Sequence, residues 1–253
     1  MKNQILKYVD KGFRYDGRGL LDFRSVSVEY GVAPTAEGSA RVVIGDTIVL
    51  AGVKLSIEAP YPDTPNKGNL MVNAELLPLS SPDFEPGPPG DFANEVARVV
   101  DRSIREGKTV DFEKLCITEG EKVWSVAIDV VSVNDAGNIL DACALAALAA
   151  LKDTKFPEVD VKGIVKYDAK TSKSLPLMAE PVLVTISFVN GKVLLDTAFD
   201  EEKDVDSRLS IACLADGSIC AMQKGGVAPI TSEQVLSSVN IAVEKSELLR
   251  SKL

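Results

Sequence analysis

The sequence predicts an α+β fold in which hairpins of strands are followed by a buried helix, twice along the chain. Three observations carry this. Paired apolar runs flank short turn signals at Gly45-Asp46, Asn190-Gly191 and Asp216-Gly217. Apolar residues at spacings of three and four follow in blocks near 91–107, 139–151 and 231–249. These hairpins and helical blocks come in runs, which is the α+β order and not the strict alternation of a parallel sheet.

Taken in order, Asn3 to Lys11 is amphipathic and predicts a short helix. Val26, Val28 and Tyr30 alternate with polar residues as in a strand. The runs on either side of Gly45-Asp46 form a hairpin, and NLMVNAELLPLS reads as a further strand. The six residues before Asp91 hold five Pro or Gly residues, which exclude both helix and ladder. From Asp91 to Gly107 the pattern is helical through Phe92, Val96, Val99, Val100 and Ile104. Glu113–Glu119 and Val123–Asn134 read as strands. Val123, Ser125, Ala127, Asp129, Val131 and Val133 share one side of the second. After the turn at 134–138, Ile139–Leu151 carries a single charge and predicts a helix buried on most sides. A polar, lysine-rich connector from Lys155 to about Ser174 is the best candidate boundary. Beyond it lie two hairpins and a closing amphipathic helix, Thr231–Leu249, with Val235, Val239, Ile241, Ala242 and Leu248 inward. The expected organisation is an N-terminal extension over 1–30, a core domain over 31–160 and a C-terminal domain over 175–253.

Composition narrows the function. Of 253 residues, 45% are hydrophobic and 26% charged, a globular balance. No signal peptide is visible, and the longest apolar stretch, Ala142–Leu151, is too short to span a bilayer. A soluble, cytoplasmic protein without membrane association is expected. Cys116, Cys143, Cys213 and Cys220 lack metal-ligand spacing and read as buried thiols. Histidine is absent, which removes the commonest general base and metal ligand. With a net charge of −9, any contact with nucleic acid must use a local basic patch.

Such a patch is visible. Arg98, Arg102 and Arg105 recur at spacings of four and three, so they share one stripe of the 91–107 helix. Guanidinium groups stacked in this way suit successive phosphates. The alternative is a solvated face in which Glu95, Asp101 and Glu106 pair with them.

RYDGRGLLDFR at Arg14–Arg24, GSARVVIGDTIVLAGVK at Gly38–Lys54 and VDSRLSIACLADGSICAMQKGG near the C-terminus resemble the ribonuclease PH superfamily. Within it, the likeness is to the non-catalytic ring subunit of the archaeal exosome, and it covers nearly the whole chain. The resemblance implies two ribosomal-protein-S5-domain-2-like βαβα halves. It implies a hexameric ring of three heterodimers with a catalytic ribonuclease PH-like sister, S1/KH-type RNA-binding cap proteins, and single-stranded RNA shortened from its 3′ end by phosphate. No cofactor or metal is implied for this chain.

The resemblance also assigns positions. Arg98 falls on the family's phosphate-site arginine within Glu95-Val96-Ala97-Arg98, and Arg102 lies one turn on. Arg98, Arg102, Arg105 and Lys122 are the expected RNA-binding residues, and none is catalytic. Gly120-Glu121-Lys122 stands where catalytic relatives carry a phosphate-binding segment, but Glu121 would repel a phosphate. Arg208 falls where catalytic members have an aspartate, and a cation cannot serve as general acid or metal ligand. Asp204 and Asp206 leave open an alternative, an active phosphate-dependent exoribonuclease. Asp16, Arg18 and Arg24 are expected at turns or ring contacts, not at a site.

Overall fold

In a computed structural model of the chain, residues 8, 9, 11–160 and 164–253 are described. The expected helix at Asn3–Lys11 falls mostly outside them; Tyr8 and Val9 are helical.

The first sheet has order β1-β2-β3-β6-β4, from Val26–Tyr30 (β1), Gly38–Ile44 (β2), Thr47–Glu58 (β3), Asn69–Leu76 (β4) and Lys122–Asn134 (β6). A short strand, Cys116–Thr118 (β5), pairs with the start of β6. The Gly45-Asp46 hairpin forms as expected, with Ile44 opposite Thr47 and Gly45 at φ +59°. β4 pairs parallel to β6, a crossover that local pattern does not announce. The strand expected over Glu113–Glu119 is shorter: Phe112–Leu115 is a 3-10 turn whose first carboxylate, Asp111, accepts the Lys114 N–H. In β6 the core face is Val126, Ile128 and Val130; of the opposite set Asp129 is exposed and Ala127, Val131 and Val133 are half-buried, whereas Val123 and Ser125 at the start of the strand are buried.

Two helices cover this sheet. Asp91–Glu106 (α1) packs on β4, and Ile139–Asp153 (α2) lies across β2 and β3. Every residue of α2 from Ile139 to Leu151 is buried, because the helix is also covered by the second sheet. That sheet has order β10-β9-β11-β12: Val182–Val189 (β9), Lys192–Leu195 (β10), Ser207–Cys213 (β11) and Ile219–Gly226 (β12). β9 is buried at all eight positions. Asn190 and Gly191 both take left-handed backbone, as a tight hairpin turn demands.

A single turn, Phe199–Glu202 (α3), links the hairpins. The closing helix, Ser232–Arg250 (α4), starts at a Thr231 cap and packs on β9 and β11. Its innermost line is Ser238, Ala242, Ser246 and Leu249, and the expected inward Leu248 is 46% exposed. Small residues on that line let the helix axis approach the strands closely. The lysine-rich connector is not irregular: Lys155–Val159 (β7) and Val165–Ser174 (β8) pair antiparallel. One continuous apolar cluster runs from Ala40 to Leu249, so the two sheets share a core. Cys143 and Cys213 lie within it, and burial pushes the Cys213 thiol up to about 11.

Candidate nucleic-acid interface

Helix α1 begins where the Pro-Gly loop ends and buries Val96, Val99, Val100 and Ile104 against the core. Its opposite stripe is exposed. Arg98 and Arg102 rise from it over a cavity of about 260 Å³ closed on the far side by Leu183 of β9, Ser210 of β11 and Gln223 of β12. Among the described residues neither arginine has a hydrogen-bond or ion-pair partner, so both guanidinium groups are available to an anion. Ser210 Oγ lies 2.8 Å from Thr185 Oγ1, which in turn donates to the buried Asp141 carboxylate at 2.7 Å. The cavity wall is therefore tied to α2.

The other two expected residues lie elsewhere. Arg105 makes a bidentate contact with Asp101, 3.0 and 2.7 Å, and also donates to the Leu70 carbonyl of β4 at 3.2 Å. Its charge is thus already matched, as the solvated-face alternative supposed for the whole stripe. Lys122 opens β6, exposed and opposite Thr118, and does not border the cavity. The adjoining turn is held by the Gly120 N–H on the Pro65 carbonyl, with Gly120 at φ +74°. Trp124 meets the Phe156 ring edge-on at 5.3 Å, which accounts for a large side chain at that position.

Arg208 leans over the α1 N-terminal half. Its Nη2 is 2.5 Å from Glu95 Oε2, and its guanidinium stands 5.8 Å from the Phe92 ring centre. Asp206 is exposed and accepts the Asn190 N–H at 2.8 Å, which braces the β9–β10 turn. Asp204 is buried. Among the described residues no three His, Cys, Asp or Glu side chains are grouped so as to hold a metal ion.

Residues 22–157 match domain 1 and residues 179–245 match domain 2 of the 3′ exoribonuclease family, RNase PH. The chain belongs to the RNase PH family. It is 44% identical to exosome complex component Rrp42 of Methanothermobacter thermautotrophicus, over 96% of this chain and 90% of that protein. Exosome complex component Rrp42 of Sulfurisphaera tokodaii is 45% identical over 100% and 92%. A chain of the Archaeoglobus fulgidus exosome with RNA bound to the active site superposes with a TM-score of 0.92 at 43% identity, covering 99% of this chain and 96% of that one. A chain of an archaeal exosome core gives 0.88 at 39%, over 99% and 95%. The RNase PH fold inferred from the motifs is thereby established, and its α+β character with it.

In this RNase PH chain the N-terminal charges do more than form turns. Arg14 is buried, pairs with Glu201, and donates to the Leu195 and Asp196 carbonyls at 2.7 and 2.8 Å. Arg18 and Arg24 both reach Asp196 at 2.7–2.8 Å. Burial acts to raise the Asp196 carboxyl, but the Arg24 guanidinium and backbone N–H, with the Asn138 amide, hold it below the usual carboxylate range. This network welds residues 14–24 to the second half of the chain. Asp196, Glu201 and Asn138 escape a reading of the sequence, since a lone Asp after an apolar run carries no signal. Their partners lie more than 50 residues away.

A larger hollow, about 990 Å³, opens between the Pro-Gly loop and the ends of β4 and β6. Asp83, Asp129, Asp135 and Glu202 line it against a single lysine, Lys203. Burial pushes the Glu202 carboxyl up to about 7 while its Oε1 accepts the Asn138 N–H at 2.7 Å. An acidic wall of this kind repels a polyanion.

Proposed function

We propose that the chain is a non-catalytic ring subunit of an archaeal exosome that grips the RNA backbone with Arg98 and Arg102. The observation that carries this is the pair of unpartnered arginines on one face of α1, bordering a cavity on an otherwise acidic protein. Bidentate guanidinium contacts to phosphate need free forks, and Arg105, matched by Asp101, is secondary to them. Lys122, remote from that cavity, would meet RNA only along a longer path. The relatives named exosome components and the likeness to a chain of an RNA-bound exosome support the assignment. Arg208 and Glu121, a cation and an anion where phosphorolysis would call for the reverse, support silence of the isolated chain.

On this reading the chain alternates with a catalytic RNase PH-like sister in a hexamer of three heterodimers. S1/KH-type cap proteins sit on the ring, and single-stranded RNA in the cytoplasm is the substrate of the whole. The test is reconstitution. The chain alone should leave a 3′-tailed RNA intact in the presence of phosphate; mixed with its sister it should form a hexamer that degrades it. Arg98→Glu with Arg102→Glu should weaken RNA binding by the assembled ring by roughly 1.5–3 kcal/mol per arginine and leave assembly intact. Phosphate-dependent trimming by the isolated chain would overturn the assignment.

A further inference from the structure

The charged side chains bordering the RNA cavity do not by themselves make it basic. Asp91 and Glu95 stand beside Arg98 and Arg102, two acids against two bases. Glu95 is three residues before Arg98 on the same helix, the spacing at which a carboxylate closes on an arginine. It does not do so here. Its carboxylate is taken by Arg208, which comes from β11, at 2.5 Å.

Arg208 is held for that task from three sides. Glu95 binds its Nη2, and the Phe92 ring lies 5.8 Å from its guanidinium carbon. On the neighbouring strand stands Gly225, where a Cβ would come within 2.7 Å of Cζ and 2.8 Å of Nε. That glycine does not need left-handed backbone, since its φ is not positive. The observed placement of the guanidinium uses the space its missing side chain leaves. Both members of the pair are about one-quarter exposed, so solvent screens their attraction only in part.

We propose that Arg208 is a positioning residue for the RNA site: by binding Glu95 it keeps that carboxylate off Arg98 and leaves both α1 arginines open to phosphate. The inference rests on the reading of Arg98 and Arg102 as RNA contacts, and adds that the site's affinity is set by a residue that does not touch RNA. Once Arg208 is removed, Glu95 pairs with Arg98 within one helical turn, and RNA must compete with an internal anion.

The experiment is equilibrium binding of a single-stranded oligoadenylate to the ring assembled with its catalytic sister, with melting curves to confirm that each variant is folded. Arg208→Ala should lower affinity about three- to tenfold. Glu95→Gln in that background should restore it to within about twofold of the parent, and Glu95→Gln alone should change it less than about twofold, because the carboxylate is already neutralised. Gly225→Ala provides a route that keeps every charge: it displaces the guanidinium, lowers affinity, and is rescued by the same Glu95→Gln. The proposal is overturned if Arg208→Ala and Gly225→Ala both bind like the parent. It is equally overturned if Glu95→Gln fails to rescue, or if it raises affinity as much with Arg208 present as without it. The last result would mean that net charge alone is being read. Arg98→Ala with Arg102→Ala is run alongside: normal binding by that variant would remove the underlying RNA-site reading, whereas reduced binding with no coupling between Arg208 and Glu95 would remove only the positioning role.

Discussion

Asp196 grips Arg24 through both carboxylate oxygens. Oδ1 accepts from Nη2 at 2.7 Å, while Oδ2 accepts from Nε at 2.8 Å and from the Arg24 backbone N–H at 2.7 Å. The same carboxylate takes Arg18 at 2.8 Å and the Asn138 amide at 3.0 Å, and its side chain is fully buried. One residue thus joins the N-terminal segment, the approach to α2 and the end of β10.

Asp196→Ala should therefore be severely destabilising. It leaves two partly buried guanidinium groups facing a vacated carboxylate site, and losing one partner of a buried pair costs about 3–5 kcal/mol. Urea denaturation measures this directly. A loss below about 1 kcal/mol would show that Arg18 and Arg24 find solvent instead.

Salt dependence of RNA binding distinguishes the α1 arginines. Each phosphate neutralised on a single strand contributes about 0.7 to the slope of log affinity against log salt. Arg98→Ala with Arg102→Ala should reduce the slope for the assembled ring by about 1.4, two contacts' worth. Arg105→Ala should leave it nearly unchanged, because Asp101 already matches that charge. An equal effect from all three arginines would contradict the separation drawn from their partners.

Stability should fall as pH rises through the range of two acids, the buried Asp141 and the half-buried Glu202. Burial pushes the Asp141 carboxyl up to about 7, although Thr185 donates to it from both hydroxyl and backbone. Burial does the same to Glu202. Between about pH 4.5 and 7 the unfolded chain has lost these protons and the folded chain retains them. The folded state binds more protons in that window, so raising pH weakens it. For each group the loss is about 1.4 kcal/mol for every pH unit crossed inside the window. Asp196, held low, works in the opposite sense and its contribution is lost only in stronger acid. Glu202→Gln with Asp141→Asn should flatten the dependence of urea midpoints between about pH 5 and 7.5. An unchanged slope would assign it to other groups.

Gly38 is fixed by a close approach, not by its backbone angles. A Cβ there would lie 2.3 Å from Thr154 Oγ1 and 2.4 Å from the Ala150 carbonyl, at the C-terminal end of α2. Gly38→Ala should cost about 1–3 kcal/mol by forcing α2 off β2, which thermal denaturation reads. A neutral result would mean that the helix end shifts freely.

Much of the fold was legible in the sequence because the signals are local. Gly45-Asp46, Asn190-Gly191 and Asp216-Gly217 each mark a hairpin that forms: the first two are two-residue turns, which have few backbone solutions that these residues fit, and the third is a longer loop closed by the Leu214 N–H on the Ser218 carbonyl. The Ala- and Leu-rich run over 139–151 announced a helix buried all round, and the structure covers it with both sheets. Less legible was the last helix. Pattern placed Ala242 and Leu248 inward; Ala242 is buried, whereas packing against β9 and β11 selected Ser238 and Ser246 beside it and left Leu248 exposed, a choice made by the distance between backbones. The hairpin β7–β8 was hidden because polar, lysine-rich strands carry no alternation.

For the site, the spacing of Arg98, Arg102 and Arg105 determined that they share a stripe, because 3.6 residues per turn is a property of the helix alone. Which of them is free was decided by neighbours brought from elsewhere: Asp101 and the β4 carbonyl take Arg105, and Arg208 from β11 takes Glu95. The alphabet of turns, helices and apolar faces was therefore set by the chain locally. The charge that the cavity presents was set only in three dimensions, since an ion pair between residues 113 apart in sequence exists only once two sheets have closed on a common core.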